Sequence, residues 1–177
     1  YKAEMPYQQV LEIMEFLDDY PLIYDSYQGG EAFMTAAMKE QIDEMTDDVH
    51  YRKMLKELRQ PVDDLKTFIA ERKQDIQKTQ FVTYDAEIHR QLTEILSQKF
   101  GDIVLTSTAK NNIEINNTKA NKGQAIWALA DYLGVPRENT ISFGDALNDM
   151  AMIKAAGTGV AMANACEEIK AVADFIT

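Results

Sequence analysis

A β-prone apolar run, Thr140-Ile141-Ser142-Phe143, stops at Gly144, and Asp145, Asn148 and Asp149 follow within five residues. Met150-Ala151-Met152-Ile153 then resumes at helical spacing. The pattern predicts strand, tight turn and helix. It constrains the fold strongly, because in an open α/β sheet the carboxyl ends of strands are where ligands sit. Asp145 is expected at the strand tip, with Asn148 and Asp149 in the first turn of the helix. Asp and Asn are also favoured in turns and at helix N-caps for purely local reasons. A cap needs only one such side chain, however, and clustered carboxylates repel unless a cation or a lysine offsets them. Two converging carboxylates suit Mg²⁺, which takes one or two carboxylates with waters and substrate phosphate.

A lysine is at hand. Asn121-Lys122-Gly123-Gln124-Ala125-Ile126 opens a second helical pattern that runs to about Leu133, with Gly134 and Pro136 as its stop. A cation at a helix start opposes the positive pole of the macrodipole. Its placement makes sense beside an anion, either these carboxylates or a phosphate. The alternative is a solvated lysine whose stem lies along the surface. Lys119 competes for the role from the polar Asn116-Asn117-Thr118 loop.

Three blocks carry a family resemblance: Lys122-Gly123, then Gly144-Asp145-Ala146-Leu147-Asn148-Asp149, then Ala155-Ala156-Gly157-Thr158-Gly159-Val160-Ala161-Met162-Ala163-Asn164-Ala165. Together they resemble the C-terminal half of a haloacid dehalogenase superfamily hydrolase, in particular the Cof-type sugar-phosphate phosphatases with a large α/β cap. The resemblance is close from about Asn112 to Thr177 and general before that. It implies an aspartate nucleophile that forms an aspartyl-phosphate, a second aspartate as general acid and base, and Mg²⁺ offsetting charge at the phosphoryl group. By motif position it implies that Lys122 orients phosphate and nucleophile and that Asp145 is a Mg²⁺ ligand. Asp149 would bind the metal through water or hold Lys122, and Asn148 would support hydrogen bonds on the phosphate side. The catalytic set implied is therefore Lys122, Asn148 and Asp149, the metal set Asp145 and Asp149, and the substrate-binding set Lys122 and Asn148.

The family's N-terminal Asp-x-Asp-Gly-Thr does not occur here, so no nucleophile is assigned in this chain. Leu17-Asp18-Asp19-Tyr20, Thr46-Asp47-Asp48 and Val62-Asp63-Asp64 are acidic pairs within or beside helical patterns, and Tyr24-Asp25-Ser26-Tyr27 lacks the second aspartate. The chain opens at Tyr1 and closes at Thr177, which reads as truncation at both ends and a fragment that does not catalyse alone.

The remaining pattern predicts a helix over 6–20, a hairpin of strands 22–27 and 31–34 about Gly29-Gly30, and helices over 35–45, 48–58 and 63–72. Gln60-Pro61 reads as the break between the last two. A strand over 76–82, a helix over 86–100 and strands over 103–107 and 113–115 follow. This order predicts an α+β cap over 1–108 and the C-terminal half of a doubly wound, Rossmann-like core over 109–177, an α/β chain overall. Without a neighbour on its outer side, the Thr140–Phe143 strand is expected to form an apolar edge.

A net charge of −11 argues against nucleic acid or an anionic membrane as partner. The one cysteine, Cys166, excludes an internal disulfide and fits a reducing cytoplasm. No apolar run has transmembrane length and no signal-peptide pattern appears. His50 and His89 lack metal-ligand spacing, Met34, Met38 and Met45 have the spacing of core filler, and Tyr24, Tyr27, Gly29, Gly30 and Phe33 are either a lid surface or core. The reading is a Mg²⁺-dependent phosphatase of small phosphorylated metabolites, sugar phosphates foremost. A phosphomutase of the same superfamily and a non-catalytic phosphate-ligand-binding protein are the alternatives.

Overall fold

Buried apolar residues recur along residues 7–17 at Val10, Ile13, Met14 and Leu17, the stripe that lets one face of an amphipathic helix leave water. In the computed structural model, which describes residues 2–45, 49–107 and 111–177 without the side chains of Met45 and Tyr51, this is helix α1 (Tyr7–Leu17). The chain divides into two compact units, Glu4–Asn117 and one built on Thr118–Thr177.

The first unit continues with strands β1 (Ile23–Gln28) and β2 (Glu31–Thr35), helices α2 (Ala36–Met45) and α3 (Val49–Leu58), and strand β3 (Arg59–Val62). Helix α4 (Leu65–Arg72), strand β4 (Lys78–Val82), helix α5 (Ala86–Lys99) and strands β5 (Ile103–Thr106) and β6 (Asn112–Asn117) complete it. The sheet order is β3-β2-β1-β4-β6-β5, antiparallel throughout except that β3 runs parallel to β2. Pleating sends alternate side chains to opposite faces. Tyr24, Phe33, Phe81, Ile113 and Ile115 meet α1, α4 and α5 in the main core, and Ile23 and Met34 meet Met38, Ile42 and Leu55 of α2 and α3. Side-chain caps start two of the helices: Asp64 accepts from Thr67 N at 2.7 Å, and Asp85 from Glu87 N and Ile88 N at 2.8 and 3.0 Å.

Gln60-Pro61 separates α3 from α4 as read, and the interval it marks is itself strand β3. Proline has no N–H to donate, and β3 escapes that demand by being an edge strand. The first compact unit runs to Asn117, where β6 pairs with both β4 and β5 inside the first sheet.

Several candidates resolve into structure. Tyr24 and Phe33 belong to the core, and the Tyr27 hydroxyl accepts from Arg59 Nη2 at 2.9 Å. Asp25 is buried against Arg59, with Oδ2 2.9 Å from Nε. Asp18 pairs with Lys66, and Asp64 is the α4 cap. His89 Nε2 lies 3.3 Å from the Asn112 carbonyl, and Met34 is core. The Asp47-Asp48 pair and the Met45 side chain lie outside the described residues.

The second unit alternates helix and strand: α6 (Lys122–Leu133), β7 (Ile141–Gly144), α7 (Met150–Ala155), β8 (Thr158–Ala161), α8 (Glu167–Lys170) and β9 (Phe175–Ile176). Its strands are parallel in the order β7-β8-β9. Its core is small, centred on Ile153, Ala161, Ala165 and Ile169. β7 is an edge as expected, with Ser142 and Gly144 buried while Ile141 and Phe143 are 62% and 57% exposed. Among the described residues, no helix is long and apolar enough to cross a membrane.

Candidate active site

The Asn121 side chain accepts from Gln124 N at 2.9 Å and so starts α6 immediately before Lys122. At the other side of the site, β7 ends at Gly144 and the chain passes through a 3₁₀ turn, Leu147–Asp149, into α7. The turn carries Asn148 and Asp149 in place of the first α-helical turn, and Asp145 stands at the carboxyl end of the strand.

Two glycines set the spacing. A Cβ on Gly123 would stand 2.6 Å from the Ala151 carbonyl oxygen, so glycine lets α6 lie against α7. A Cβ on Gly144 would stand 2.6 Å from Asp149 Cβ. Glycine at that position therefore admits the carboxylate back over the strand end.

The geometry joins Lys122 to Asp149. The lysine ammonium donates to Asp149 Oδ1, while Asp149 Oδ2 accepts from the backbone amides of Asp145 at 3.1 Å and Ala146 at 3.4 Å. Burial alone would raise the Asp149 carboxyl. The hydrogen bond from Lys122 and those from the two amides outweigh it and hold the group below the ordinary carboxylate range. The side chain of Asp149 is 7% exposed and that of Lys122 is 50% exposed. The pair thus has a buried anchor and a cation whose other side faces solvent. Of the anions suggested for Lys122, the carboxylate is the one it meets. Lys119 lies in the exposed loop before α6.

Asp145 is exposed, and its Oδ2 lies 3.4 Å from Asn164 Nδ2. Its Oδ1 has no hydrogen-bond partner among the described residues. Asn148 is also exposed, and among the described residues no side chain or backbone group hydrogen-bonds its amide. Lys122 and Asp149 therefore meet directly and the backbone amide of Asp145 joins them, while the side chains of Asp145 and Asn148 are exposed. Sequence reasoning assigned no role to Asn164 or to the amides of Asp145 and Ala146. The signal for Asn164 was a polar residue closely following a buried strand, the same arrangement that singled out Asp145.

These residues accommodate Mg²⁺ in part. An open carboxylate oxygen at Asp145 fits a cation that completes its shell with waters and substrate oxygens. Asp149 does not fit as a direct ligand, since both its oxygens are engaged. Among the described residues no three His, Cys, Asp or Glu side chains group closely enough to hold a metal by themselves.

Residues 1–177 match the sequence profile of the haloacid dehalogenase-like hydrolases. The chain is similar to the phosphatase YwpJ of Bacillus subtilis, with 51% identity over 76 residues, 43% of this chain and 27% of that protein. It is also similar to the 5-amino-6-(5-phospho-D-ribitylamino)uracil phosphatase YcsE of Bacillus subtilis, with 42% identity over 93 residues, 52% of this chain and 37% of that protein. A solved structure of a haloacid dehalogenase-like hydrolase from Bacteroides thetaiotaomicron superposes with a TM-score of 0.79 at 26% identity, covering 100% of this chain and 63% of that one. The chain spans only part of the length of each of these proteins. An α/β fold with a parallel sheet, a lysine–aspartate pair at a strand tip and a profile match along its whole length place the chain in the haloacid dehalogenase-like hydrolase family.

Proposed function

We propose that this chain carries the phosphoryl-binding side of a magnesium-dependent phosphomonoesterase acting on small phosphorylated metabolites, sugar phosphates foremost. The observation that carries the reading is the half-exposed Lys122 ammonium anchored on buried Asp149 next to the open carboxylate of Asp145. In a chain of net charge −11, an anionic ester needs such a local cation.

Asp149 holds the lysine fixed in direction, so that its outward N–H groups meet phosphoryl oxygens without reorganisation. Asp145 would hold Mg²⁺, with Asp149 reaching it at most through water; the ion would supply charge neutralisation at the phosphoryl oxygens. Asn148, at the rim, would donate to the phosphate side. Hydrolysis breaks the ester P–O bond, releasing the alcohol, and ends with the phosphoryl group on water as orthophosphate. In the aspartyl-phosphate route a carboxylate carries that group between the two steps. None of the residues placed here is assigned as the nucleophile. The Bacillus subtilis relative's name specifies a phosphate ester on a ribityl chain, which supports a polyhydroxylated alcohol as the leaving group.

The test is orthophosphate release from a panel of sugar phosphates by the intact protein. Release with Mg²⁺, lost on chelation and in Asp145→Ala, supports the reading. Tight binding of the esters without turnover would instead favour a non-catalytic ligand-binding protein.

A further inference from the structure

We infer that Asn164 is a positioning residue that orients the Asp145 carboxylate for a divalent cation, an inference that rests on the metal-site reading above. The turn bearing Asn164 is tied to the strand tip on both sides. After β8, Met162 N donates to the Gly144 carbonyl at 2.9 Å, one further rung beyond the parallel ladder. The chain then turns, with Ala165 N on the Met162 carbonyl at 2.8 Å, and Cys166 N donates to the carbonyl of Asp145 itself at 3.0 Å. Ala163 N is held by Thr177 Oγ1 at 3.0 Å, and Ala165 is buried in the core of the unit. The residues flanking Asn164 therefore have little freedom, and its side chain projects from a fixed place.

That place puts its amide nitrogen 3.4 Å from Asp145 Oδ2. An ionised carboxylate only accepts hydrogen bonds, so it is the NH₂ end of Asn164 that faces it. The contact is long for a hydrogen bond. It biases the carboxylate's rotation while leaving nearly all of its charge available. With Oδ2 so engaged and the Asp145 backbone pinned by Cys166, Oδ1 is the oxygen left for a cation. Outer contacts of this kind orient a ligand before the metal arrives, and their loss typically costs about 10–100-fold in metal affinity.

The experiment is a Mn²⁺ titration of the intact protein followed by electron paramagnetic resonance, with Mg²⁺ as competitor, on wild type, Asn164→Ala, Asn164→Gln and Asp145→Asn. Asn164→Ala is expected to weaken Mn²⁺ binding about tenfold. Its thermal midpoint should stay that of wild type, and the loss in activity should fall on the KM for Mg²⁺ rather than on kcat. Asn164→Gln, which keeps the amide donor, should lie between the two. If Asp145→Asn loses the ion while Asn164→Ala binds it like wild type, the positioning role is overturned and the metal-site reading stands. If wild type binds no Mn²⁺, or Asp145→Asn binds it unchanged, both fall. A lowered midpoint in Asn164→Ala with unchanged affinity would make the residue merely structural and overturn the inference.

Discussion

At Asp149 one carboxylate serves three donors: the Lys122 ammonium and the amides of Asp145 and Ala146. Its folded-state pKa is lowered, so the unfolded chain takes up the proton first as the solution is acidified. The stabilising contribution is complete above the ordinary carboxylate pKa and is lost as pH falls through the lowered folded value. The urea midpoint of the second unit should therefore fall as the pH is lowered below the ordinary carboxylate range in wild type, and Asp149→Asn should lose that component. Lys122→Ala removes the cation aimed at the substrate and should lower kcat/KM by roughly a hundredfold or more, read in a phosphate-release assay. Gly144 shows how narrowly the pair is built. Gly144→Ala forces a methyl group against Asp149 Cβ, and overpacking of this kind costs about 1–3 kcal/mol, measurable as a lower urea midpoint.

Single elements show different physics. β3 is held to β1 across β2 by a buried pair, Asp25 and Arg59, whose side chains are 4% and 6% exposed. Burial pushes the Asp25 carboxyl up against the lowering influence of Arg59 and Gln80. Its pH dependence therefore has the opposite sign to that of Asp149: its stabilisation is complete below the ordinary carboxylate pKa and declines as pH rises toward the raised folded value. Arg59→Ala, which strands a buried carboxylate, should cost about 3–5 kcal/mol in chemical denaturation, and the joint change Asp25→Leu with Arg59→Met should recover most of that loss. β7 poses the reverse problem, an apolar edge strand with Ile141 and Phe143 exposed. Charged side chains on such an edge discourage pairing with other chains. Ile141→Lys with Phe143→Lys should raise the concentration at which this chain begins to scatter light.

Across the whole molecule, the two units have unequal cores. The first buries large side chains from α1, α4, α5 and the sheet, among them Phe81, Leu92 and Leu96, whereas the second centres on Ile153, Ile169 and two alanines. Stability follows apolar area removed from water, so unfolding should proceed in two steps with the second unit opening first. Calorimetry on wild type, Leu92→Ala and Ile153→Ala checks this. Each substitution should cost about 2–5 kcal/mol and move only the transition of its own unit.

Much of this was legible before any coordinates. The apolar run to Phe143, the stop at Gly144 and the helical spacing after Met150 set strand, turn and helix, because backbone period and turn chemistry are local properties. The Asn121 cap and the Gly134 stop delimited α6 for the same reason. β3 was missed because Pro61 is a breaker everywhere except at an edge, and only the assembled sheet decides which strand is the edge. The partners of β6 were not legible either, because strand pairing joins residues distant in sequence. In the site, residue type and order alone marked Lys122, Asp145, Asn148 and Asp149. Tertiary structure decided what each does: Asp149 turned both oxygens inward onto Lys122 and two amides, Asp145 kept one oxygen open, and Asn164 came alongside from the far end of β8. Local chemistry names the groups available to a site, but which atoms are left free for a ligand depends on long-range packing and hydrogen bonds that exist only after the chain has folded.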